Sequence, residues 1–307
     1  MAFERIIIVR DKTPLEALLE RFPSRPQARF YLDRSGGDYA SYERAHDQFY
    51  RSLQKIKREL RYCLPFKILE RKYLDRYIFA KEELIVVLGR DGLVANTAKY
   101  INGQPIIGVN PDQKANDGIL LPDTPQSLYS TVKRVLNAKA SFSPIQMAEA
   151  RLNDGQRLLA FNDFFIGREG HNSAHYKLRF DGKEENQSSS GIIVSTGAGA
   201  TGWMSSVFEM ARSVNGLLGG NVKWQAPKLD WDASRLMYVV REPFLSKHSG
   251  VSLSSGIIEG QQKLVLESQM PHNGVIFSDG MQQDRISFHS GAKVSIGLAR
   301  EKAYLVK

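Results

Sequence analysis

The 307-residue chain has one cysteine, Cys63, which excludes an intramolecular disulfide and fits a reducing compartment. Set among Tyr62, Leu64 and Pro65, that thiol reads as buried filler rather than a nucleophile. No apolar run is long enough to cross a bilayer, so no membrane partner is expected. Ile6-Ile7-Ile8-Val9, close to the amino terminus, is also far too short for a signal peptide. Neither GxxxxGKS nor GxxxxGKT occurs, so any phosphate site must be built differently from a P-loop. No low-complexity tract suggests disorder. No module interleaves basic residues with exposed aromatics, as a nucleic-acid partner would require. The surplus of 42 Lys and Arg over 33 Asp and Glu gives a formal charge of +9, which favours polyanionic partners, nucleotides as well as nucleic acids. Between Arg51 and Arg76 the basic residues are mixed with acids and read as a solvated helix face.

What is present is organised around Glu83–Tyr100. Leu84-Ile85-Val86-Val87-Leu88 is a continuous apolar run of strand length, as expected for a parallel strand buried on both faces. It breaks at Gly89-Arg90-Asp91-Gly92, and a helix-like segment follows. Open α/β sheets place ligands at the carboxyl ends of such strands. Gly89 and Gly92 let backbone approach a phosphate, and Asp91 is a candidate general base or metal ligand. A tight strand–helix turn with an Asp cap accounts for the same residues equally well.

The rest of the first part reads as an α/β domain. Ile6–Val9 forms a first strand, and Thr13-Pro14-Leu15-Glu16 carries the cap, the first-turn proline and the capping-box glutamate of a helix start. Leu15, Leu18, Leu19 and Phe22 give that helix its apolar stripe. A longer helical pattern runs from Tyr39 to Tyr62, and Phe66–Leu69 is a short strand. Gln104–Asp112 is a strand whose end carries Asn110 and Asp112 on the same sheet edge as Asp91. A helix over Gln126–Leu136 closes the domain. At this length two domains are expected. Beyond Ala140 period-two segments separated by turns predict a β-rich domain. The predicted boundaries are 1–138 for the α/β domain, with 290–307 packing back on it, and 139–289 for the β-rich domain.

Two further patterns invite a site. Gly197-Ala198-Gly199-Ala200-Thr201-Gly202 is GxGxxG after a strand and before a helix-like stretch. It lies within β-rich texture, and no acidic residue stands about twenty residues on to hold a ribose; the next Asp is Asp230. A hydride-transferring dehydrogenase is therefore not expected, though a glycine turn contacting a nucleotide in another way is open. His171 and His175 stand four apart, but their surroundings are not helical, so they read as loop residues and no metal centre is predicted.

In order, Leu88-Gly89-Arg90-Asp91-Gly92, Pro105-Ile106-Ile107-Gly108-Val109-Asn110, Asn162-Asp163, Ser189-Ser190-Gly191 with Ser195-Thr196-Gly197-Ala198-Gly199, Arg241-Glu242-Pro243 and Asp279-Gly280 resemble the motif blocks of the NAD kinase family. The Ser-Ser-Gly and Thr-Gly-x-Gly forms are similar to its mitochondrial-type branch. The likeness runs from about Leu84 to Val306. It implies an NAD kinase/diacylglycerol kinase-like fold: a doubly wound α/β domain, a β-sandwich-like second domain, and a site in the cleft between them. It implies transfer of the γ-phosphoryl of ATP, with Mg²⁺, to the 2′-hydroxyl of NAD adenosine ribose. In that scheme Asp91 is catalytic, and Gly89, Arg90, Gly92 and Asn110 bind phosphate or ATP. Asn162, Asp163, Ser195, Thr196, Gly199, Thr201 and Trp203 bind NAD. A cytoplasmic homo-oligomer, dimer or tetramer, is the corresponding expectation.

The departures are specific. Arg90 stands where the family has its second glycine, and Leu93 where Thr or Ser is common. Asp163 stands for Glu, shortening a ligand by one methylene. Two alternatives follow: a catalytically silent sensor of NAD(P) or ATP, and a related kinase with a lipid or other hydroxyl acceptor.

Overall fold

Ile6–Val9 and Leu84–Leu88 are all at 0 % exposure, a burial that only the inner strands of a sheet covered on both faces attain. The structure is a computed structural model describing residues 3–220 and 227–307. Residues up to Ser143 together with Tyr304–Lys307 form one unit, and Pro144–Ala303 form the other.

In the first unit β1 (Arg5–Arg10), β2 (Phe66–Glu70), β3 (Glu83–Leu88) and β4 (Pro105–Val109) lie in the order β2-β1-β3-β4. All are parallel, and Tyr304 and Leu305 add a further parallel pairing beside Pro105 and Ile106. The helices are α1 (Pro14–Leu19), α2 (Arg25–Arg34), α3 (Tyr39–Leu60), α4 (Asp91–Ala98) and α5 (Leu128–Leu136). α3 and α5 press Phe49, Leu53, Ile56, Leu128 and Val132 onto Ile6, Ile8, Leu84 and Val86. The alternate residues Ile7, Val9, Ile85 and Val87 point away from that layer and are equally buried. α4, buried from Leu93 to Ala98, packs against β3 and β4.

The Thr13 capping box forms: its hydroxyl accepts from Glu16 N, and Glu16 Oε2 accepts from Thr13 N at 2.7 Å. That helix stops at Leu19, one turn before Phe22, which still packs into the same small cluster. α2 was not foreseen. Only Ala28 and Leu32 of its ten residues are buried, too few to mark a periodic stripe. Cys63 is half-buried, and burial pushes its thiol pKa up, away from nucleophilic character.

The second unit holds two antiparallel sheets. The first contains β8 (Ala174–Phe180), β9 (Lys183–Ser189), β13 (Leu264–Ser268) and β16 (Lys293–Val306) in the order β16-β13-β8-β9. β5 (Phe142–Leu152) pairs with β16 and with β6 (Arg157–Ala160). The second sheet runs β12-β11-β10-β7-β14-β15. Its strands are β7 (Asp163–Arg168), β10 (Ile192–Ser195), β11 (Arg235–Val240), β12 (Ser255–Glu259), β14 (Gly274–Ser278) and β15 (Met281–Ser287). Tyr176, Leu178, Leu264, Leu266 and Ile296 of one sheet meet Phe164, Ile166, Val194, Leu236 and Tyr238 of the other in a single core. This is a β-sandwich. The outer face of the second sheet is covered at Ile193 and Met237 by the start of α6 (Trp203–Leu217), through Met204. Among the described residues no helix is long and apolar enough to cross a membrane.

Candidate functional site

In the first unit, the residues singled out lie at the carboxyl edge of the parallel sheet. β3 and β4 end in register, Leu88 beside Val109, so Gly89–Gly92 and Asn110 leave the sheet side by side. Gly89 N donates to Val109 O at 3.3 Å, tying the two exits together. Asp91 then opens α4, where an anion is favoured by the helix dipole. Its Oδ1 accepts from Leu120 N at 2.7 Å, and among the described residues no hydrogen bond reaches its Oδ2. The carboxylate is thus aimed by one oxygen and available through the other. Gly92 has open space where a side chain would start, whereas a Cβ on Gly89 would meet Leu93 Cδ2 at 2.9 Å. Leu93 therefore packs beneath the turn. Arg90 is exposed in extended conformation; its carbonyl accepts from Leu93 N at 2.9 Å, and its side chain makes no hydrogen bond or ion pair among the described residues.

The Leu120 amide reaches Asp91 because of Gly108. A Cβ there would lie 2.0 Å from Leu120 O, so only glycine lets the 118–121 segment close over β4. Asn110 is 3 % exposed and its amide is committed: Oδ1 accepts from Asp112 N at 3.0 Å, and Nδ2 donates to Asn116 O at 3.2 Å. Its side chain shapes the 110–116 loop. A hollow of about 610 Å³ opens beside it, lined by Arg44, Gln48, Arg51, Asp112 and Lys114. At the end of β1, Arg10 is buried and bound to Glu16 and Tyr50. That guanidinium belongs to the scaffold and is not free for a phosphate.

In the second unit the other predicted residues converge on one turn, Phe161-Asn162-Asp163, between β6 and β7. Asp279 sits in the two-residue turn joining β14 to β15; φ is positive at both Asp279 (53°) and Gly280 (67°), which suits an Asp-Gly hairpin. Its carboxylate accepts from Phe161 N (2.9 Å), Asn162 N (2.6 Å) and Asp163 N (3.3 Å). Asp279 N donates back to Asp163 O at 3.0 Å. From the other side, Thr196 N donates to Asn162 O, and Thr196 Oγ1 donates to Phe161 O at 2.6 Å. Asp279 was legible only as part of a motif, and the Asp-Gly hairpin was the signal that could have placed it.

Ser195 and Thr196 are fully buried, and Ser195 Oγ donates to Thr196 O, so their side chains build the turn. The glycines of GxGxxG have a steric cause. A Cβ on Gly199 would lie 2.1 Å from Asn162 O, and one on Gly197 would lie 2.0 Å from Asp230 O. Asp230 thus meets the turn through its backbone. Thr201 is exposed and lines a hollow of about 1090 Å³ with Ala200, Ser205, Arg212 and Leu229. Trp203 is half-buried, stacked on Phe165 at 5.7 Å with Arg241 over its ring. His171 lies in a bend and His175 is the second residue of β8, so the latter is a strand residue rather than a loop one.

The side chains of Asn162 and Asp163 make no hydrogen bond among the described residues. Asp163 is 8 % exposed. Burial, reinforced by the charge of Asp279, pushes its pKa up to about 7.

These two units together have the architecture of the NAD kinase fold: a parallel α/β sheet with flanking helices and an antiparallel β-sandwich. The chain is similar to the NAD kinase from Archaeoglobus fulgidus crystallised with ATP, at TM-score 0.58 and 14% identity, over 99% of this chain and 93% of that one. It is similar to yeast NADH kinase complexed with NADH at TM-score 0.61 and 13% identity, over 100% of this chain and 84% of that one. No family model matches the sequence, and no curated protein does. At such identities the likeness establishes the fold.

The raised pKa of Asp163 makes stability fall as pH rises. Between about pH 4 and about pH 7 the folded state keeps a proton that the unfolded state has released, and the loss levels off above pH 7. Asp163→Asn should therefore be more stable than the wild type at pH 8 by a few kcal/mol, with the difference shrinking towards pH 4. Urea unfolding at pH 4, 6 and 8 measures this; a difference independent of pH would refute the buried proton.

Proposed function

We propose that the chain is a kinase that transfers the γ-phosphoryl group of ATP to the 2′-hydroxyl of the adenosine ribose of NAD, producing NADP and ADP. The observation that carries this reading is the Asp91 carboxylate. It is fixed through Oδ1 by Leu120 N and open at Oδ2, in a chain whose fold is that of kinases crystallised with ATP and with NADH. Asp91 Oδ2 accepts the proton of the ribose hydroxyl as that oxygen bonds to the γ-phosphorus and the bond to the ADP oxygen breaks. Phosphoryl transfer asks little else of the protein than positioning and charge stabilisation. Backbone at Gly89 and Gly92 approaches the phosphates, and Arg90 supplies a charge that does not titrate away. Among the described residues no group of three or more His, Cys, Asp or Glu could hold a metal ion. Mg²⁺ would arrive with the ATP phosphates as part of the substrate. Asn162 and Asp163 hold the dinucleotide with their side chains, and the Ser195–Trp203 turn supports them.

The second reading, a sensor that binds dinucleotide without turnover, rests on Leu93 and Arg90 at the glycine turn. Leu93 is buried with its Cδ2 against Gly89, and no atom of Arg90 lies within 4 Å of where a Cβ on Gly92 would sit. This favours the kinase.

NADP formation from NAD, ATP and Mg²⁺ tests the reading. Loss of the base in Asp91→Asn should lower the rate by about 10³-fold, within the range of general-base catalysis. Arg90→Ala should lower kcat/KM for ATP by roughly 10- to 100-fold while leaving the unfolding midpoint unchanged, as for a lost charge-assisted phosphate contact. Tight NAD or NADP binding by a wild type that forms no NADP would establish the sensor instead.

A further inference from the structure

The Phe161-Asn162-Asp163 turn has no backbone N–H left to offer. Its three amides are held by Asp279, two carbonyls by Thr196 and the third by Asp279 N. A hydrogen-bond donor at this turn must therefore come from the side chains of Asn162 and Asp163. The surroundings of Asp163 decide what it can offer. β10 places Ser195 opposite it, β14 brings Ser278 to the neighbouring Phe164, and the hairpin turn brings Asp279. None of these is a cation. Asp163 makes no ion pair among the described residues, and the charge of the neighbouring Asp279 carboxylate opposes its ionisation.

Three N–H donors favour the ionised form of Asp279. A second carboxylate, buried beside the first with neither a donor nor a cation, is costly. The pair therefore keeps one proton, and the partnerless member keeps it. A carboxylic acid differs from a carboxylate in what it recognises. A carboxylate only accepts hydrogen bonds, whereas the neutral acid also donates one.

We propose that Asp163 is a specificity residue that meets its ligand as a neutral carboxylic acid, donating a hydrogen bond to an acceptor atom of the dinucleotide, a carboxamide oxygen or an aromatic ring nitrogen. This rests on the dinucleotide reading above and adds the chemistry of one contact. It also gives the Asp at this position a reason. A shorter acid stays close to Ser195, its register partner, and to Asp279, where the proton is retained. Asp279 acts through it as a positioning residue, holding the turn by its amides and supplying the negative charge.

Calorimetric titration of NAD into the wild type and into Asp163→Asn, at pH 6 and pH 8.5, tests the proposal. The wild type should bind at least about tenfold more weakly at pH 8.5, since binding then requires a proton to be restored. Asp163→Asn, a donor at every pH, should bind within about twofold at the two pH values and close to the wild type at pH 6. Wild-type affinity that is flat or tighter at pH 8.5, or an Asn variant with the wild-type slope, would overturn the donor role. Absence of NAD binding at both pH values overturns the dinucleotide reading and this contact with it. That failure is distinguishable, because the pH dependence of stability in the ligand-free protein reports the Asp163 proton independently.

Discussion

One carboxylate accepting three consecutive backbone amides is the interaction on which the second unit's turn depends. Asp279 binds Phe161 N, Asn162 N and Asp163 N, where the chain passes from β6 in one sheet to β7 in the other. A chain changing sheets exposes amides that no ladder can pair, and leaving them unpaired in a buried place costs about 1–3 kcal/mol each. The Asp-Gly hairpin supplies the missing acceptor. Thr196 supplies donors from the other side, and Gly199 keeps the backbone close enough for them to reach. With the backbone satisfied in this way, two polar side chains stand on a fixed support.

The first unit solves its version of the problem with the same chemistry. Asp91 accepts one amide, from Leu120, and that single bond orients its carboxylate. Behind it, Asp123 is 7 % exposed and accepts from the hydroxyls of Ser127 and Thr131, while its backbone pairs with Gly108 and Asn110. The loop from Asn110 to Asp123 is therefore pinned at both ends. Asp91 spends one oxygen on the scaffold and Asp163 spends none. The different roles proposed for the two carboxyl groups rest on that difference.

Much of this was legible in the sequence. Buried runs such as Leu84–Leu88 announce their strands because apolar β-branched residues have no other use at that density. Thr13-Pro14-Leu15-Glu16 announces its helix because capping chemistry is local. Asp91 could be named as a carboxylate between two glycines at a strand end, whereas Asn162 and Asp163 could be named only through the resemblance of their motif. What could not be read is whatever depends on distance along the chain. Leu120 is 29 residues from Asp91, and Asp279 is 118 residues from Phe161. Polar elements were also hidden. β9, Lys-Glu-Glu-Asn-Gln-Ser-Ser, is a strand because β8 pairs along its whole length, not because of its own residues. GxGxxG was legible as a pattern, but its cause, contact with two backbone carbonyls, required the fold.

Both turns are held by hydrogen bonds within the chain itself, formed before any ligand arrives. Amide hydrogen exchange on the ligand-free protein, wild type against Asp279→Asn, measures this directly. The amides of Phe161, Asn162 and Asp163 should be protected in the wild type, and all three should lose protection together in the variant while Leu120 keeps its own. Exchange of the three amides at unstructured rates in the wild type would contradict a preformed turn, and with it the support assigned to Asn162 and Asp163.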